Sequence, residues 1–254
     1  MDPLADIRCR LFADLDRMSP GRRVHMKHAY DLLPPLERPR ILDLGCGRGG
    51  PTLELARISG GRVIGIDVDG AALAELDRDA DAAGLRDRIA TRATSFATLE
   101  FPPASFDLLW AEGSIHALGF EEGLASWRDC LRPGGGLVIH ESAWLKPDPP
   151  PATAAYWSEA FPCIRTLEDY AAAARLRDWD VRGGFALPEA FWWEHYFGPL
   201  AARLATWRAS LGKRGLSSEA RALLAAEERR VARYRADQAW FGSVYLVLAK
   251  PQTS

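Results

Sequence analysis

From residue 40 to residue 141 short apolar runs alternate with stretches whose apolar positions recur every three or four residues. The runs at 40–44, 62–66, 88–93, 106–111 and 136–141 predict strands. The stretches at 51–58, 71–83 and 121–131 predict helices between them. Strict alternation of this kind argues for an α/β protein with a parallel sheet and helices on both faces. Right-handed crossovers then put the functional loops at the C-terminal ends of the strands. Upstream, Leu4, Ile7, Leu11, Phe12 and Leu15 share one face of a helix over 4–17. Ser19-Pro20-Gly21 breaks it, and a second helical stretch runs to about Leu33.

After Glu141 the rhythm changes. Residues 142–151, SAWLKPDPPP, predict a Pro-rich loop. Helices follow at 152–160 and 166–176, then a strand at 181–187 and a long, mostly helical segment at 189–238. The run at 242–249 predicts a buried closing strand. It can complete the sheet only if 189–238 is inserted before it. The expected organisation is therefore one domain over 1–254. Lid helices occupy 1–35, a ligand-binding core 38–145, a helical cap 146–240 and the last strand 241–250.

Composition narrows the function classes. The chain is 48% apolar and 26% charged, with a net charge of −2, which gives no general attraction to nucleic acid or anionic membrane. The Arg-rich stretch 203–235 carries Glu219, Glu227 and Glu228 at helical spacings from its arginines, as a solvated helix face does. No apolar run approaches membrane-spanning length, and the N-terminus has no apolar signal core. Cys9, Cys46, Cys130 and Cys163 form no C-x-x-C pair, so a cytoplasmic protein with reduced thiols and no metal is expected. His25 and His28 share a helix face but lie in no ligand pattern.

The chemistry concentrates in ILDLGCGRGG, residues 41–50. Gly45-x-Gly47-x-x-Gly50 has the spacing of a dinucleotide fingerprint. Asp43-x-Gly45-x-Gly47-x-Gly49 overlays it. Glycines let a backbone approach a ligand closely in either case. Asp43 separates the two. A pyrophosphate wants backbone N–H groups and is repelled by a carboxylate. S-adenosylmethionine (SAM) carries an ammonium, a sulfonium and no phosphate, so a carboxylate suits it. Asp67 ends the second strand, about 22 residues past the first glycine, near the roughly 20 expected of a ribose-binding acid.

Asp43-x-Gly45-x-Gly47-x-Gly49, Asp67, Phe106-Asp107-Leu108-Leu109-Trp110 and LRPGGGL (131–137), in that order, resemble the motifs of class I SAM-dependent methyltransferases. The likeness covers roughly residues 38–145, and SVYLVLAK (243–250) is similar to that fold's final strand. It implies a Rossmann-like seven-stranded sheet with the last strand antiparallel, plus the helical cap. It also implies a SAM site built from Asp43, Gly45, Cys46, Gly47, Gly49, Asp67, Val68, Ser95, Phe96, Glu112 and Gly113, with S-adenosylhomocysteine as product. Many members have Asp where Ser95 stands. Phe96 either packs on adenine or fills the core, and Arg48 either reaches the SAM carboxylate or stays solvated.

Residues 110–123, 140–144 and 192–200 resemble the ubiquinone/menaquinone-biosynthesis-like branch of small-molecule methyltransferases. The resemblance implies methyl transfer to O, N or C of a small acceptor and names no substrate. Methyl transfer needs positioning and exclusion of water, and a base only when the acceptor must lose a proton. Glu112, His116 and Glu141 are the candidates for that role, because all lie at the C-terminal edge of the fourth and fifth strands. Trp144, Trp193, His195 and Tyr196 are candidate acceptor contacts, or else the core beneath the cap. Two rivals remain at this stage: an NAD(P)-dependent oxidoreductase, against which Asp43 argues, and a SAM-binding protein without turnover. Oligomeric state is not readable.

Overall fold

A computed structural model describes residues 7, 10–12, 15, 23–210 and 217–252. One mixed sheet organises them. Its strands are β1 (Arg40–Leu44), β2 (Arg62–Asp67), β3 (Ile89–Ala93), β4 (Phe106–Glu112), β5 (Leu131–Trp144), β6 (Arg165–Thr166), β7 (Asp180–Ala186) and β8 (Phe241–Ala249). The spatial order is β3-β2-β1-β4-β5-β8-β7, with β6 pairing with the end of β5. β1 to β5 are parallel, and β8 runs antiparallel to both β5 and β7. The expected seven strands are the main path; β6 makes an eighth, two residues long and without a periodicity to betray it.

Helices α1 (Arg23–Asp31), α2 (Gly50–Ser59) and α3 (Gly70–Ala82) cover one face of the sheet. Their buried positions, Met26, Leu55, Leu73 and Leu76 among them, meet Ile41, Val63 and Trp110. Helices α4 (Phe120–Trp127) and α6 (Leu167–Arg175) cover the other face, where Leu124, Trp127 and Tyr170 meet Leu42, Leu109 and Ile139. Local chemistry sets the starts. Asp69 caps α3 by accepting from the Ala71 and Ala72 amides, and Thr166 caps α6 at Asp169. The helix expected over 121–131 stops at Trp127; a tight turn at Arg128–Cys130 follows, and Leu131 already pairs with Phe106 in the sheet.

The loop expected from residue 142 begins later. Ser142, Ala143 and Trp144 stay in β5 because Ser243, Gly242 and Phe241 of β8 pair with them. β5 thus continues past Glu112, the last residue of β4, and carries the chain into the cap. The cap consists of α5 (Pro151–Ala160), the short α7 (Glu189–Trp192), a π-helical turn (Trp193–Phe197), α8 (Gly198–Ser210) and α9 (Ser218–Asp237). Its core is aromatic: Trp157 stacks on Phe241 at 3.7 Å, and Phe197 stacks on Tyr234 at 4.0 Å. Asp237 locks α9 to α5, accepting from Thr153 Oγ1 at 2.9 Å and Trp157 Nε1 at 2.8 Å. Ile7, Leu11 and Phe12 are buried against this core, with Ile7 and 10–12 helical as expected. Most of the 4–17 helix and the break at 19–21 lie outside the described residues.

Candidate functional site

The glycine loop leaves the end of β1 in a tight turn. The amides of Gly45 and Cys46 both donate to the carbonyl of Ile66 on β2, at 2.9 and 3.0 Å. Gly47 N–H donates to Asp67 Oδ2 at 2.9 Å, and Asp69 N–H donates to Asp67 Oδ1 at 2.9 Å. Asp67 thus fastens the loop to β2 while each oxygen keeps acceptor capacity. Gly45 and Gly49 show why glycine is required. Both have positive φ, 75° and 78°. A Cβ at Gly45 would meet Ser114 Cβ at 2.9 Å, and one at Gly49 would meet Leu76 Cδ1 at 2.2 Å. A Cβ at Gly47 would meet nothing within 4 Å, so this part of the loop lies open to a ligand.

Asp43 sits beneath the loop, 2% exposed, and accepts from Thr52 Oγ1 at 2.6 Å. Burial is the main reason its pKa is pushed up to about 7, with the Thr52 hydrogen bond opposing and Asp67 reinforcing. The carboxylate read from the sequence as a ligand contact is therefore packed under the first turn of α2. Arg48 turns outward to Glu75, 3.2 Å away. Two carboxyl groups, with the loop's own Arg48 turned away, make poor surroundings for a pyrophosphate. They suit a nucleoside bearing an ammonium: Asp67 can take a ribose diol, and Val68, 73% exposed, offers apolar surface beside it. Cys46 is buried against Gly65, so its thiol faces the core. Ser95 Oγ accepts from the Ala97 amide at 3.1 Å. Phe96 lies against Gly45 and edge-on to Trp127, packed on the sheet's core.

The ends of β4 and β5 carry two polar clusters on opposite faces of the sheet. Glu112 and His140 are cross-strand partners and share one face. Glu112 Oε1 accepts from Trp110 Nε1 at 2.8 Å and from the Tyr245 hydroxyl at 2.9 Å. His140 Nε2 lies 2.8 Å from Ser243 Oγ, which also accepts from Trp192 Nε1 at 2.9 Å. The His140 ring stacks on Tyr245, and burial pushes its pKa down to about 3, so it is neutral. Glu141 points the other way. Its Oε2 lies 3.0 Å from His116 Nδ1, while its Oε1 accepts from the Ser142 amide at 2.8 Å. The hydrogen bond to Glu141 raises the His116 pKa above its ordinary value, against the opposing effect of burial. This pair borders a cavity of about 60 Å³ lined also by Phe120, Phe161, Ile164 and Tyr170. Gly113 links the two faces, donating to the His140 carbonyl at 2.8 Å with φ 61°.

Residues 41–135 match the family model described as a methyltransferase domain. The chain is 31% identical over 215 residues to the 24-methylenesterol C-methyltransferase 2 of Oryza sativa subsp. japonica, an alignment covering 78% of this chain and 58% of that protein. The chain thus spans a little over half the length of that relative. In fold it is similar to a SAM-dependent methyltransferase of Geobacter sulfurreducens solved with S-adenosyl-L-homocysteine. The TM-score is 0.75 at 21% identity, with 96% of this chain and 97% of the other covered. The cyclase SpnF matches equally well, TM-score 0.75 at 18% identity, covering 98% of this chain and 94% of that one. One architecture therefore carries more than one reaction, and function has to be argued from the site.

The glycine loop, Asp67, Val68 and Gly113 lie at the C-terminal edge of the sheet. Of the candidate acceptor contacts, Trp144 ends β5 against the cap, and Trp193, His195 and Tyr196 lie in the cap's π-helical turn. Trp144 and Tyr196 are buried in the cap core, and Tyr196 bonds Arg230. Trp193 lies under Arg235, 4.5 Å from ring to guanidinium carbon, and His195 is edge-on to Phe191 at 4.6 Å. Three participants escaped sequence reasoning. Thr52 holds Asp43, and Phe161 and Tyr170 wall the His116 cavity from elements with no motif of their own. Among the described residues no His, Cys, Asp and Glu group is arranged to hold a metal ion, and no helix is long and apolar enough to cross a membrane.

Proposed function

We propose that the chain is a SAM-dependent methyltransferase acting on O, N or C of a small-molecule acceptor, with one domain spanning the chain and a helical cap built from α5, after β5, and from the helices between β7 and β8. The observation that carries the reading is the Asp67 carboxylate, hydrogen-bonded to Gly47 N–H at the open part of the loop, with the loop's own Arg48 turned away to Glu75. SAM, when bound, supplies a methyl group activated by its positively charged sulfur. The protein's task is then to bind, orient and keep water out. Asp67 binds the ribose diol, and Val68 lies along the base. His116 is the base for an acceptor that must lose a proton. With Nδ1–H held by Glu141, Nε2 keeps its lone pair, takes the proton from the acceptor, and leaves an imidazolium paired with the Glu141 carboxylate. Glu141 is thus a positioning residue. Glu112 is a structural acceptor for Trp110 and Tyr245 rather than a base.

A small acceptor is favoured over nucleic acid by the net charge of −2 and by a cap built over the strand ends. A cytoplasmic setting is favoured by Cys46, Cys130 and Cys163, all free thiols. The test is transfer of labelled methyl from SAM to a panel holding a sterol alkene, a phenol and a secondary amine, chosen because the rice relative is named for carbon methylation. Label in any of these products supports the reading. SAM binding without label transfer to any acceptor class favours a binding protein.

A further inference from the structure

The recess beside His116 is small and its walls are specific. It encloses about 60 Å³, and the rings of Phe120, Phe161 and Tyr170 wall it together with His116 and Glu141. A water's share of liquid volume is about 30 Å³, and a benzene ring occupies a cavity of about 150 Å³. The recess therefore takes a group of about two or three heavy atoms and refuses a ring. Its outer wall is a turn, not the sheet. Phe161 follows α5, its amide donating to the Trp157 carbonyl at 2.8 Å, and the Ile164 amide donates to the Phe161 carbonyl at 3.0 Å. This turn sets the Phe161 ring edge-on to the His116 imidazole, 5.9 Å between centres. Tyr170 commits its hydroxyl to the Ser142 carbonyl at 3.1 Å, so it offers the recess a ring and not an acid.

Charge and acidity sort the small groups that fit. Glu141 supplies the carboxylate of the wall. Arg165 lies over the Phe120 and Tyr170 rings, at 5.8 and 6.0 Å, but its charge is offset by Glu121 at 2.6 Å. An acceptor carboxylate would be repelled by Glu141, whereas an ammonium or a neutral donor would not. An aliphatic alcohol holds its proton about as tightly as water, at about 15.7, far beyond the reach of a histidine. An aliphatic ammonium loses its proton at about 10.4, and pairing with Glu141 raises the His116 pKa toward that value. A phenol matches it in acidity, at about 10, but its ring does not fit. We infer that the acceptor is an aliphatic amine on an unbranched carbon and that Phe161 sets this limit, an assignment that rests on the methyltransferase reading above. His116 Nε2 takes one proton from the ammonium. The freed nitrogen lone pair then bonds to the methyl carbon as the carbon–sulfur bond breaks and its electron pair goes to sulfur. A methylammonium and neutral S-adenosylhomocysteine result.

The test is transfer of labelled methyl from SAM to hexylamine, 1-hexanol, phenol and a sterol alkene, by wild-type protein and by Phe161→Ala. Wild type should label hexylamine at least about tenfold faster than each of the others. Phe161→Ala opens the recess by the volume of a ring and should cut the amine-to-phenol rate ratio about tenfold or more. Phe161→Leu keeps an apolar side chain beside Phe241, guarding against a loosened cap, and should move the ratio the same way by less. Label in 1-hexanol or phenol at or above the amine rate in wild type overturns the assignment. So does an amine-to-phenol ratio that neither variant moves. Label in the sterol alone overturns it and leaves the methyltransferase reading standing. SAM binding with label in none of the four overturns it together with that reading.

Discussion

His140 and Glu141 are neighbours on one strand and have opposite surroundings. His140 faces Tyr245, Ser243 and Glu112 across the sheet, is 1% exposed, and is held neutral by burial. Glu141 faces His116, whose side chain is 29% exposed and beside a cavity, and it raises that histidine's pKa. A strand's two-residue period is all that separates a satisfied structural network from a pair able to move a proton. Proximity to the strand end is therefore not enough to make a titratable group a catalyst. What distinguishes the His116 side is reachable space, a ring nitrogen left over after pairing, and a carboxylate that stabilises the charged form.

The largest effect that could break this contrast is on the reaction rate. His116→Ala should lower kcat by about 100-fold or more for an acceptor that must lose a proton, with SAM affinity unchanged. Glu141→Gln should lower it less and shift the acid limb of the kcat–pH profile toward lower pH, because the His116 pKa falls when its carboxylate partner is neutralised. In wild type that limb should lie above pH 6.5, since pairing raises the pKa. His140→Ala should leave the position of the limb unmoved and instead destabilise the fold by about 1–3 kcal/mol, because Ser243 and Trp192 lose their shared network. Denaturant melts beside rate profiles separate the two outcomes. A limb displaced by His140→Ala and not by Glu141→Gln would invert the comparison.

A stability effect comes next, from two deeply buried titratable groups, Asp43 and His140. Asp43, raised to about 7, binds its proton more tightly when folded, so its contribution to stability falls as pH rises from about 4 to 7. His140, lowered to about 3, does the opposite: the unfolded chain binds the proton, and stability rises with pH from about 3 to 6.5. The two slopes oppose one another over nearly the same window. Asp43→Asn should unmask the rising His140 slope, measured as melting temperature between pH 4 and 7. A slope unchanged from wild type would mean Asp43 is already ionised in the folded protein. Smaller still is Gly49→Ala. It forces Leu76 to shift and places a side chain at φ 78°, for a loss of about 1–3 kcal/mol seen in the same melts.

The parts of the site that were legible in the sequence are the contiguous ones. The glycine turn and Asp67 sit at strand ends that hydrophobic period locates, and their spacing carries chemistry by itself. His116 and Glu141 were legible as edge positions, but their pairing was not, because it depends on a turn after β4 folding back onto β5. Asp43 shows a different limit: residue type suggested a ligand contact, whereas burial and Thr52 decided where the carboxylate went. The partners of Glu112 and His140 come from β8, more than a hundred residues away, and only antiparallel register brings Ser243 and Tyr245 opposite them. The same register carried β5 on to Trp144, where local proline content had suggested a loop.

The loop of residues 45–49, fastened by Asp67, is the proposed SAM site. Parallel calorimetric titrations of wild-type protein and Asp67→Ala with SAM, S-adenosylhomocysteine and NADPH test it most directly. Saturable binding of SAM and S-adenosylhomocysteine to the wild type, no binding of NADPH, and a loss of about 100-fold or more in Asp67→Ala is the expected result, since both the ribose contacts and the Gly47 anchor are removed. NADPH binding in place of SAM, or SAM affinity that survives Asp67→Ala, would contradict it.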